Sequence, residues 1–322
     1  MIESVLGIRY FLMHRDNFLI FMTYLLVKFA TAGRAQRLRI RYVVIHGDIA
    51  AVFVDLFYVQ IMNLLTEYFS FFEPLPANTF GLLALITAIF VLAGAVKGVV
   101  GLGLPTISMA LLALLMSPAQ AAALLVIPSL LTNVWQMRPF WTLPDLLRSI
   151  GPMQIGIFIG TLLGAWLWGA PAGRAAGAAL GMALVVYACW GLLGHPVNIS
   201  PQVRAWLGPL AGFTTGLVTA ATGVFVVPAV PYLQALQLSR DALIQTMGVC
   251  FTVSTIALAL GLWLNQSYSI EAAGVSLLML VPALVGMSLG QSLRQRLPVP
   301  LFRKVFFFSL IVLGVYQLAA SI

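Results

Sequence analysis

The stretch AGAVKGVVGLGLP, Ala93–Pro105, places one lysine and four glycines inside a long apolar run. A lysine at the centre of a bilayer is expensive, and glycine is among the poorest helix formers. Gly94 and Gly98 have the small-xxx-small spacing that lets two membrane helices approach closely. Gly101, Gly103 and Pro105 instead read as a break, with the backbone unwinding at the glycines and a new helix starting at Pro105. A nucleotide-binding loop is excluded, because no strand precedes the glycines and no Gly-Lys-Ser/Thr follows.

The surroundings of this stretch set its context. The chain has 322 residues, 61% of them hydrophobic and 8% charged. That is too little polar surface to cover a water-soluble protein of this size. Runs long enough to cross a bilayer, roughly 20 helical residues each, recur from residue 79 to the C-terminus. The expectation is an all-α polytopic membrane protein. The net charge of +8 comes from basic residues in the short links, which is the positive-inside pattern and not the footprint of a nucleic-acid partner. Cys189 and Cys250 both fall in apolar segments and suggest neither a disulfide nor a metal site.

Ten helical segments are expected, over about residues 79–100, 102–116, 118–136, 147–170, 172–193, 204–221, 223–237, 239–264, 270–292 and 300–320. Segments two and seven are short, and each follows a Gly- or Thr-rich cluster. An offset of 118 residues aligns LAGAVKGVVGLG, from Leu92, with LAGFTTGLVTAA, from Leu210. Gly94 then meets Gly212, Gly98 meets Gly216, and Lys97 meets Thr215. Five segments per repeat is an odd number, so two repeats that cross fully are inverted with respect to each other. With ten crossings, Arg138, Arg148, Arg204, Arg240, Arg294, Arg296, Arg303 and Lys304 share one side and Arg174 lies opposite. Eight crossings, with the short segments dipping in and returning, divide the same charges less cleanly. The expected organisation is an N-terminal extension over 1–61, a first transmembrane repeat over 62–194 and a second over 195–322, in a bacterial inner (plasma) membrane.

Breaks at 98–105 and 216–228 leave helix N-termini with free N–H groups and partial positive charge, which favour anions. Lys97 is the candidate counter-charge, unless it snorkels to the nearby membrane surface. Gly101, Gly103, Thr219, Thr222 and Gly223 are the candidate unwound backbone around a substrate. Thr106, Asn133, Thr215 and Thr252 belong to a set of neutral polar residues flanking the breaks, which also includes Ser129, Thr132 and Gln136. After residue 79 the acids are Asp145, Asp241 and Glu271, all at segment ends, and the histidine is His195. This argues against carboxylate-ligated cation transport and against a hydrolase. No enzyme activity, metal or cofactor is expected. The expected partners are a small anion, the lipid bilayer and a coupling ion, with the proton one option.

These residues resemble the sulfite exporter TauE/SafE family of membrane permeases over about residues 79–320. The resemblance rests on GVVGLGLPTISMALLALLMSPAQAAALLVIPSLLTN, from Gly98, and GLVTAATGVFVVPAVPYLQALQLSRDALIQTMGVCFTVST, from Gly216. Departures fall at Leu104, Pro105 and Ala110 in the first copy and at Thr219, Ala220, Ala221 and Thr222 in the second, which keeps Gly223 and Pro228. The resemblance implies export of small sulfur oxyanions or organosulfonates; with the anion-favouring breaks, the expected function is a secondary transporter of these or related carboxylates. A passive anion channel and a non-transporting membrane partner protein remain open alternatives.

Overall fold

The computed structural model describes residues 79–194, 199–294, 296 and 298–321. The proposed extension over 1–61 and His195 lie outside them. Among the described residues there are ten α-helices and one short 3-10 turn. They are α1 (Thr79–Val100), α2 (Leu104–Leu112), α3 (Pro118–Gln136), α4 (Leu143–Trp168), α5 (Gly173–Leu193), α6 (Pro201–Thr222), α7 (Ala229–Ala235), α8 (Arg240–Leu264), α9 (Ile270–Arg294) and α10 (Val299–Ser321). The 3-10 turn, Phe140–Thr142, leads into α4. Seven of the helices are long and apolar enough to cross a membrane: α1, α3, α4, α5, α8, α9 and α10.

The short helices are shorter still than the sequence suggests. Segment two, expected over 102–116, is helical over Leu104–Leu112, because Gly101 and Gly103 take positive φ values of 79° and 117°. Segment seven, expected over 223–237, is helical over Ala229–Ala235, because Gly223 ends α6 in the left-handed region and Val224–Val226 are non-helical. Each short helix is followed by a serine cap. Ser117 Oγ accepts from the Gln120 N–H while Gln120 Oε1 accepts from the Ser117 N–H, and Ser239 Oγ accepts from the Ala242 N–H.

Both short segments fold back along the helix before them. Val96 packs at Gly103, and Leu111, Leu114 and Leu115 lie beside Leu85, Ala88, Ile89 and Leu92 of α1. On α6, Val224 sits at Thr219 and Thr222, while the Leu236 carbonyl accepts from Arg204 Nη2 at 3.3 Å. Arg204 to Thr222 is a rise of about 27 Å at 1.5 Å per residue. The return covers that distance with few helical residues because its first part is non-helical.

Long helices pair through glycine. Gly94 and Gly98 of α1 lie against the backbone of Ala283, Met287 and Gly290 on α9, and Gly286 and Gly290 lie against Val91 and Ala95. Gly212 and Gly216 of α6 meet Met153 and Ile157 on α4 in the same way, and Gly156 and Gly160 meet Pro209 and Phe213. A Cβ at any of these eight positions would fall far inside van der Waals contact with a neighbouring backbone. Both pairs run in the same direction along their axes. The partner helices carry matching motifs, Pro152-x3-Gly156-x3-Gly160 and Pro282-x3-Gly286-x3-Gly290.

The remaining contacts fix further directions. α5 and α10 run oppositely, with Gly181 against Gly314, Gly177 against Ser321 and Gly191 against Phe307. α3 and α8 also run oppositely, joined by Gln136 to Ile244 and by Gly248 against Asn133. α8 runs along α4, joined by Gln154 to Cys250 and by Asn265 to the Ala165 carbonyl. Aromatic side chains fill the space between, with Tyr187 edge-on to Phe307 and Phe225 tilted against Phe251. Cys189 and Cys250 are free thiols.

Replacing Gly286 by valine is expected to lower the melting temperature in detergent, since its Cβ meets the Val91 carbonyl and overpacking costs roughly 1–3 kcal/mol. Gly151→Ala on α4 meets nothing within 4 Å. It should hold or raise the melting temperature, as alanine is favoured over glycine in a helix by about 1 kcal/mol.

Candidate functional site

α1 carries Lys97 one turn before its end, so the last turn of an apolar helix holds a full charge. The side chain is 4% exposed. Its ammonium donates to Thr132 Oγ1 at 3.1 Å and to Asn133 Oδ1, both on α3. Snorkelling is therefore not what this lysine does: it points into the helix bundle. Among the described residues no carboxylate lies within ion-pair distance of Lys97, and the one ion pair is the exposed Arg148–Asp145.

Asn133 must present its oxygen to an ammonium, so its Nδ2 faces elsewhere, buried and without a partner. Thr132 passes its own proton to the Pro128 carbonyl at 2.7 Å, leaving its oxygen free to accept from lysine. One turn earlier on α3, the Ser129 hydroxyl is buried and unpartnered. The hydroxyls of Thr106 and Ser108 on α2 and of Ser254 on α8 are in the same condition. Unpaired buried donors cost about 1–3 kcal/mol each, and these five lie on three adjoining helices.

The first break begins where α1 ends. Gly101 closes α1 by donating to the Lys97 carbonyl at 2.8 Å, and its own carbonyl accepts from Gln136 Nε2 at 3.1 Å. The same Gln136 amide reaches the Ile244 carbonyl on α8 at 2.9 Å. One side chain thus satisfies the broken backbone and ties it to the second half of the chain. Gln245 does the corresponding work beside it, donating to the Met137 and Pro139 carbonyls, each at 2.7 Å.

At the second break the threonines serve the backbone. Thr219 Oγ1 donates to the Thr215 carbonyl at 2.8 Å and lies 3.3 Å from the Val224 carbonyl, and Thr222 Oγ1 accepts from the Val224 N–H at 3.1 Å. Thr215 and Thr252 donate to the carbonyls four residues back, Ala211 and Gly248. Gly223, with φ 70°, packs against Met109 of α2 and Ala122 of α3.

Lys97 and Asn133 are thus in direct contact, and Gly101 joins them through Gln136, one turn along α3 from Asn133. Thr106 is on α2, as is the Met109 that covers Gly223, while Thr252 lies one turn from the Gly248–Asn133 crossing. Thr215, Thr219 and Thr222 are buried but make no bond to the lysine cluster. Thr215, which the 118-residue offset pairs with Lys97, brings no charge. The bridging role of Gln136 was not legible beyond its polarity. Its signal is a glutamine one turn after Asn133, but its two acceptors are 35 and 108 residues away.

A family model described as sulfite exporter TauE/SafE matches residues 86–317, from within α1 to within α10. The chain belongs to that family. No curated protein and no solved structure matches it. As a TauE/SafE member with seven long apolar helices, it is a multi-pass protein of a membrane transporter family.

Removing Lys97 and removing its acceptor should differ in sign. Lys97→Met deletes a desolvated charge and should leave the melting temperature unchanged or raise it. Asn133→Leu strands the ammonium and should lower stability by roughly 1–3 kcal/mol or more. Thermal unfolding of the two purified variants decides this.

Proposed function

We propose that the protein is a secondary carrier that exports a small anion across a bacterial inner membrane, the anion being sulfite, an organosulfonate or a related carboxylate. The single observation that carries this reading is Lys97: a buried ammonium, held by two neutral oxygens, beside a broken helix and unpaired donors. Such a charge is tolerated where a counter-ion comes and goes. An anion beside it would meet the third ammonium proton and the unpartnered Asn133 amide. The nearby start of α2 at Gly103–Thr106 adds to the reading, since a helix N-terminus favours negative charge.

The two halves, 62–194 and 195–322, are read as inverted repeats that rock against each other around this site, driven by a proton or another coupling ion. Helix pairing supports the reading. Exchanging α1–α5 for α6–α10 turns the α1–α9 contact into α6–α4, and the α3–α9 contact into α8–α4, while α5–α10 and α3–α8 map onto themselves. Helix directions support ten crossings over eight: if α2 and α7 did not count as passes, α5 would run along α10 and α8 against α4. The basic links Arg138, Arg204, Arg240 and Arg303 then share the cytoplasmic side, with Arg174 opposite.

In proteoliposomes, efflux of labelled sulfite, taurine, sulfoacetate and a small carboxylate should saturate for at least one of them and respond to an imposed pH gradient. Flux without saturation would indicate a channel, and no flux of any of them would defeat the anion reading. Lys97→Ala should lower apparent anion affinity at least tenfold while the protein is made at the same level. Unchanged transport would remove Lys97 from the site.

A further inference from the structure

A groove of about 650 Å³ opens where the end of α5 meets the start of α10, lined by Gly191, Leu192, Arg303, Lys304, Phe307 and Phe308. It lies on the outside of the bundle and is lined by none of the Lys97 cluster. Its shape depends on Gly191: the Phe307 ring occupies the space that a Cβ there would need. Phe307 is buried and turns inward onto Tyr187, so the floor of the groove is aromatic. Arg303 stands over the Phe307 ring, its guanidinium carbon 5.8 Å from the centroid.

The two ends of the groove differ in chemistry. Arg303 and Lys304 are adjacent in the first turns of α10, both exposed, just after Arg294 at the end of α9 and Arg296 in the link. Among the described residues neither is ion-paired. Moving along α10 from these cations, the outer surface becomes apolar: Val305 is 61% and Phe308 65% exposed, and both line the groove with Leu192 at the end of α5. In a multi-pass membrane protein this outer apolar surface faces acyl chains, and the cations sit at the level of the headgroups.

We propose that this groove is a binding site for an anionic phospholipid, whose phosphate lies between Arg303 and Lys304 and whose acyl chain runs along Leu192, Val305 and Phe308. Charge complementarity selects the lipid. A guanidinium takes phosphate oxygens in a fork, an ammonium neutralises the charge that remains, and a zwitterionic headgroup would bring a cation up to two cations. A free phosphate would satisfy the charges but leave the apolar length of the groove uncovered.

The test uses the full chain, purified in detergent and delipidated, with its melting temperature followed as lipid is added back. Phosphatidylglycerol should raise it by about 5 °C at saturation, while phosphatidylcholine and inorganic phosphate should each give less than half of that. The double variant R303Q/K304Q should lose most of the phosphatidylglycerol increment, and R174Q at the opposite end should keep it. Both changed side chains are exposed, and the starting melting temperature of the variant reports whether it folds. An equal increment from phosphatidylcholine, an equal increment from inorganic phosphate, or an undiminished increment in R303Q/K304Q would each overturn the proposal.

Discussion

Close backbone contact between α1 and α9, and between α4 and α6, is the constraint on which the remaining structure rests. Lipid and leucine are equally apolar, so hydrophobicity alone gives membrane helices little reason to prefer one another. Glycines four residues apart supply that reason by removing the side chains that would hold the backbones apart. Each partner contributes a pair, Gly94 and Gly98 with Gly286 and Gly290, then Gly212 and Gly216 with Gly156 and Gly160. Every helix so paired comes from the opposite half of the chain. Once these crossings are set, α3 and α8 are enclosed between them and meet each other at Asn133 and Gly248.

The enclosed position explains why the polar residues are tolerable. A broken helix exposes backbone groups that lipid cannot satisfy. Here they are answered by Gln136 at Gly101 and by Thr219 and Thr222 at Val224. The two breaks are stabilised differently, one by a long side chain from another helix and the other by hydroxyls of the helix that has just ended. A break held from across the bundle is coupled to the position of α8, through the Ile244 carbonyl on the same amide. A break held by its own helix moves with that helix.

Lys97 gives the site its sign. The sequence offset that aligns Leu92 with Leu210 sets Lys97 against Thr215, so under the proposed repeat the charge is single-sided. The neutral oxygens of Thr132 and Asn133 hold the ammonium without cancelling it. A carboxylate partner would have made a closed ion pair with little to offer a ligand. Under the proposed function, such a cluster trades folding stability for affinity.

Ten helices, their order and most of their ends were legible in the sequence, because apolar run length, Gly and Pro punctuation and serine caps act over a few residues. The family resemblance was legible for the same reason, and so were Lys97, Gly101, Gly103 and Gly223 as unusual residues in apolar surroundings. The true extent of α2 and α7 was not, since φ at Gly101, Gly103 and Gly223 depends on what packs around them. Nor was the division of labour among the polar residues. Thr219 and Thr222 turned out to serve Val224, whereas Asn133 reaches Lys97 across 36 positions and Gln136 reaches Ile244 across 108. The sequence by itself determined that this chain crosses a membrane repeatedly and carries one costly charge near a break. Only the tertiary structure decided what that charge touches, because hydrogen-bond partners in a helical bundle are set by which faces cross, and spacing along one chain does not specify a crossing.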